Sequence, residues 1–99
     1  MDIHLLKTFV AAYEEASFTK AARRLNATQP GVSVQIATLE ASVRTPLFER
    51  NARSVVPTIA GRRLYPRAVQ LIRDLNMTRQ EIRALAGATT GRVAVGIPS

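Results

Sequence analysis

Apolar positions recur in helical phase along most of this chain. Leu6, Phe9, Val10 and Tyr13 fall at i, i+3, i+4 and i+7, one face of a first helix that Asp2 can cap. Phe18, Ala21, Ala22 and Leu25 repeat the stripe over a shorter helix behind Ser17 as N-cap. Val32, Ile36, Leu39 and Val43 mark a third, capped by Thr28, with Pro30 in its first turn where a missing N–H costs nothing. Asn26-Ala27 reads as the tight turn between the last two, since Asn tolerates a left-handed backbone. With so short a joint, both apolar faces can share one core only if the helices cross. That is a helix-turn-helix, spanning residues 18–37 or so, whose second helix enters a DNA major groove.

The third helix has an unusual outer face. Pro30, Val34, Ala37 and Ala41, with Ser33 beside them, are small and uncharged where a solvated face would carry long polar side chains. Such a face suits close approach to base edges, or a helix–helix contact in a larger assembly.

Beyond Val43 the helical phase breaks. In "TPLFERNARSVVPT", Phe48-Glu49-Arg50 and Ser54-Val55-Val56 predict two short strands around Asn51-Ala52-Arg53, a wing over residues 46–57. Arg50 and Arg53 then lie near its tip, reaching the DNA backbone or minor groove, or else solvating a surface loop. Thr58 caps a last helix predicted over 59–86, about 42 Å long. Along it Leu64, Ala68, Leu71, Leu75, Thr78, Ile82 and Leu85 alternate by four and three, a coiled-coil spacing. Three short helices cannot cover so long a seam. Leu64, Leu71, Leu75, Ile82 and Leu85 are therefore expected to bury against a second copy, and Ala68 and Thr78 to weaken the zipper. Pro66 removes one backbone bond near the start without ending the helix. Gly87 is expected to stop it, and Ala88-Thr89-Thr90-Gly91 to form a linker. Val93, Val95 and Ile97 then alternate as a strand lacking a partner in the chain, so residues 87–99 read as a hinge and the first strand of a further domain.

Charge sharpens the choice at the third helix. The 99 residues carry a net +7, which suits a polyanionic partner. Residues 1–43 balance four bases against four acids, whereas residues 44–67 hold six arginines against Glu49 alone. Arginine forks suit phosphates and base edges, which favours the groove reading. Without cysteine there is no disulfide framework or thiolate metal site, and a reducing cytoplasm is the default. No apolar run approaches membrane-spanning length.

The ordered segments "SFTKAARRL", "TQPGVSVQI" and "PLFER", followed by a long helix and "GRVAVGI", resemble the N-terminal part of LysR-type transcriptional regulators. The resemblance implies a mainly α fold: a winged helix-turn-helix over residues 1–58, with three helices and a β-hairpin wing, followed by a linker helix that dimerises. It implies a bacterial regulator that binds imperfect promoter palindromes in double-stranded DNA as a homodimer or pair of dimers. It also implies a separate effector domain that binds a small molecule, leaving no cofactor in this segment. Gln29, Pro30, Ser33 and Val34 are then expected at the bases, with the cap Thr28 beside them and Arg50 and Arg53 on the wing. Two departures stand out. The family often has a basic residue where Val34 stands. Arg44 occupies a position commonly glycine, so the turn into the wing is either not left-handed here or strained.

Two rival classes fit less well. For an enzyme, the single histidine, His4, lies near a terminus, and no glycine-rich phosphate loop or metal-ligand spacing occurs. Glu14 and Glu15, as helix neighbours, are expected to diverge on a solvated face. A membrane-surface or coiled-coil interaction module would rely on the last helix, whose narrow seam lacks Trp or Phe anchors.

Overall fold

The computed structural model describes residues 1–50 and 55–90. Four helices and a hairpin follow in order: α1 (Ile3–Glu15), α2 (Phe18–Leu25), α3 (Gln29–Val43), β1 (Phe48–Arg50), β2 (Val55–Pro57) and α4 (Ile59–Thr90). All four expected N-caps form. Asp2 Oδ1 accepts from the His4 N–H at 2.8 Å, and Ser17, Thr28 and Thr58 accept from Lys20, Gly31 and Gly61, each at 3.1 Å. Each such cap stabilises its helix by about 1 kcal/mol.

Three helices end on left-handed residues: Ala16, Asn26 and Arg44, at φ 54°, 57° and 59°. Asn26 is the expected turn. Of the two alternatives at Arg44, the left-handed turn is the one observed, at a cost of roughly 1–2 kcal/mol for a side chain with a Cβ.

The core gathers the predicted stripes. Phe9, Val32, Ile36 and Leu39 are essentially inaccessible, as is Leu47 from the segment entering the wing. Phe48 bridges the helices, its ring 5.5 Å from Phe9 and edge-on to Phe18 at 5.8 Å. The buried Thr8 hydroxyl donates to Gln35 Oε1, joining α1 to α3 through a satisfied polar pair. The wing strands are antiparallel, with Phe48 opposite Pro57 and Arg50 opposite Val55. Strand β2 covers Val55–Pro57, and the expected strand residue Ser54 lies outside the described residues, as do Asn51, Ala52 and Arg53.

Helix α4 does two jobs along its length. Ala68 is fully buried, and Leu64, Tyr65, Val69 and Ile72 pack partly buried on the core. Farther along, the helix leaves the domain, with Met77, Ile82 and Leu85 exposed. The helix passes through Pro66, as expected, but also through Gly87, contrary to the expected stop there. An exposed interior glycine costs only about 1 kcal/mol, too little to stop a helix by itself. The anticipated strand around Val93 lies outside the described residues. No helix among the described residues is long and apolar enough to cross a membrane.

Candidate nucleic-acid interface

Helix α3 divides cleanly. Val32, Ile36 and Leu39 face the core at 0–1% exposure, whereas Val34 on the other side is 64% exposed. Thr28, Gln29, Pro30, Ala37 and Ala41 are exposed with it, and Ser33 is half-exposed. The five predicted reading residues therefore cluster on the first turns of one helix. No side-chain hydrogen bond or ion pair among the described residues holds Gln29, Pro30, Ser33 or Val34, whereas Thr28 is spent on its cap. The amide of Gln29 and the hydroxyl of Ser33 are thus available to a partner, flanking an apolar spot made by Pro30 and Val34.

Helix α2 packs beside α3, its Phe18, Ala21 and Ala22 buried in the core that both helices share. The wing lies beyond the C-terminal end of α3. Arg50 extends from β1 and is more engaged than the sequence suggests. Its guanidinium pairs with Glu40 Oε1 at 3.3 Å, and its central carbon lies 5.2 Å from the Phe18 ring centroid. Arg53 lies outside the described residues. The other arginines of the basic segment, Arg44, Arg62, Arg63 and Arg67, are exposed.

Two features escape sequence reasoning. Glu14 and Glu15 do not diverge: both reach the Arg24 guanidinium, at 2.7 and 3.3 Å. The Tyr65 hydroxyl of α4 also donates to Glu14, and its ring stacks on Tyr13 at 4.1 Å and 12°. The bonds from Tyr65 and then Arg24 hold the Glu14 carboxyl below its ordinary range, and the Tyr65 hydroxyl is pushed up by the same contact. This cluster binds α4 to both α1 and α2. An i, i+9 separation between Glu15 and Arg24 across a turn leaves no periodic signal. The second feature is Glu40, whose carboxylate receives the start of β1. The seam residues are split by the fold: Leu64 lies half-buried against its own core, Leu75 is half-buried, and Leu71, Ile82 and Leu85 are exposed at 49, 59 and 64%.

Among the described residues, no cluster of carboxylates, histidines or cysteines could hold a metal ion.

Comparison with known proteins agrees with this geometry. Residues 3–62 match the family described as "Bacterial regulatory helix-turn-helix protein, lysR family". An HTH-type transcriptional regulator from the ibpB-leuC intergenic region of Azotobacter vinelandii is 42% identical over 95 residues, covering 96% of this chain and 66% of that protein. The chain thus spans slightly less than two thirds of that relative. Among solved structures, the BenM DBD–benA site 1 DNA complex superposes with a TM-score of 0.82 at 37% identity, covering 87% of this chain and 97% of the other. The CbnR DBD–DNA complex gives 0.84 at 31%, covering 87% and 99%.

Proposed function

The chain belongs to the LysR family of bacterial helix-turn-helix regulatory proteins, and on that premise we propose that it is the DNA-binding part of a transcriptional regulator. It takes a palindromic promoter site as a homodimer, α3 being the recognition helix in each major groove. The observation that carries this reading is the bare outer face of α3, with Val34 64% exposed and no charged residue in the stretch from Asn26 to Leu39. A solvated helix has no use for such a face, whereas the thymine methyl of the major groove offers it an apolar partner. The exposed Arg44, Arg62, Arg63 and Arg67 supply phosphate contacts, joined by Arg53, which lies outside the described residues.

Dimerisation falls to the part of α4 that leaves the core: Leu71, Leu75, Ile82 and Leu85, with Leu64 at the rim. DNA binding needs no cofactor in this segment, and a small-molecule effector acts through a separate domain. Such a protein works in the cytoplasm, at the nucleoid.

The test is DNA binding across a salt series, on a duplex selected from a random pool. If about six to ten phosphates are neutralised per dimer, log K falls against log salt with a slope of roughly −5 to −9. A slope near zero, or preference for anionic vesicles over duplex, overturns the reading.

A further inference from the structure

The carboxylate of Glu40 stands where the recognition helix meets the wing, and base reading by α3 leaves it no task. Its side chain is 17% exposed, and both oxygens are engaged. Oε2 accepts from the Leu47 N–H at 2.7 Å and the Phe48 N–H at 3.3 Å, and Oε1 accepts from Arg50 at 3.3 Å. The connection continues beyond the wing. The Leu47 carbonyl accepts from the Thr58 N–H at 3.0 Å, and the Pro46 carbonyl from the Thr58 hydroxyl at 2.8 Å. One side chain of α3 therefore fixes the first residues of β1 and, through Leu47, meets the cap of α4. The backbone carbonyl of Glu40 also accepts from the amides of Arg44 and Thr45, so the left-handed turn is anchored at the same residue.

Arg50 is bracketed by this anion and the face of Phe18. Its charge is balanced within the fold by a carboxylate on one side and an aromatic ring on the other.

We propose that Glu40 is a positioning residue for DNA binding: it locks the wing to the recognition helix, and Arg50 is its counter-ion rather than a phosphate ligand. This rests on the DNA-binding reading of α3. The wing then reaches the duplex only in the register that Glu40 sets, and the phosphate contacts come from the other arginines.

The experiment uses the 99-residue chain and a duplex selected by the wild type. Binding constants are measured from low to moderate salt for the wild type and Arg50→Met, which keeps the stem and removes no acceptor from the fold. The expected result is a weaker complex with an unchanged salt slope. If Arg50 instead neutralised a phosphate in each protomer, its removal would flatten the slope by about 1.8 for the dimer, which overturns the proposal. Glu40→Gln is then footprinted in two ways. Hydroxyl-radical protection flanking the major-groove contacts is expected to fade, while methylation protection of groove bases persists at raised protein concentration. Persistence of both protections overturns the positioning role. If Glu40→Gln does not fold, the Arg50→Met slope decides alone. Failure of the wild type to shift any duplex is a different outcome: it removes the DNA-binding reading and this proposal with it.

Discussion

Val34 can neither donate nor accept a hydrogen bond through its side chain, yet it lies 64% exposed on the outer face of α3. The one apolar feature of a base pair in the major groove is the thymine methyl. Under the proposed reading, Pro30 and Val34 would pack on that methyl, with Gln29 or Ser33 bonding a base edge. Replacing thymine by uracil, position by position through a half-site, should cost about 1 kcal/mol at one inner position in the wild type. The same replacement should matter little in Val34→Ala. Competition binding checks both, and silence at every position, or a loss that persists in Val34→Ala, removes Val34 from the readout. At this scale the sequence is informative wherever chemistry is local. The four caps are legible because Asp, Ser and Thr carry the acceptor that a helix start needs, and Asn26 because it tolerates positive φ. Ala16 is not, since nothing about alanine announces a left-handed residue. The strand that carries Arg50 is legible too, but its engagement with Glu40 depends on the chain folding back across ten positions.

Among the elements, α4 shows what periodicity can and cannot tell. Its four–three alternation announces a long helix with a seam, and the helix is there. Spacing alone cannot separate the part that docks on its own domain from the part left over, because both use the same apolar residues. Ile72, off the heptad, packs on the core. Gly61 marks the docked end: a Cβ there would lie 2.3 Å from the Leu47 carbonyl oxygen. Gly61→Ala must therefore shift backbone, and should lose about 1–3 kcal/mol in urea unfolding. The cluster of Tyr65, Glu14 and Arg24 ties the same helix to α1 and α2. The Glu14 pKa is lowered on folding, so its contribution is present above the ordinary value of 4.5 and lost as pH falls through the folded value. Tyr65→Phe keeps the stack on Tyr13 and removes the hydrogen bond. Its melting temperature should fall below that of the wild type near neutrality, and the gap should narrow below pH 4.5. A gap independent of pH would mean that the bond does not draw on the Glu14 charge, and no gap at all would mean that it contributes nothing.

The whole molecule is elongated, 59 Å by 25 Å by 18 Å, because α4 outruns the domain that it caps. Under the proposed dimer, Leu75 lies mid-seam. Leu75→Asp would then place an unpaired carboxylate between two chains, at about 3–5 kcal/mol. Sedimentation should show a monomer with its helical domain intact, and a mutant that remains dimeric would refute the seam. In the assembled dimer the two α3 helices should stand one turn of DNA apart, roughly 34 Å. The divided surface of α3 also bears on how such a chain can change. The side chains that hold the fold, Val32, Ile36 and Leu39, are not the ones proposed to face DNA, and the side chains of Gln29, Pro30, Ser33 and Val34 make no hydrogen bond or ion pair among the described residues. If those are the reading residues, operator preference and thermodynamic stability are separable traits, and a single substitution on the outer face can shift the first while leaving the second alone.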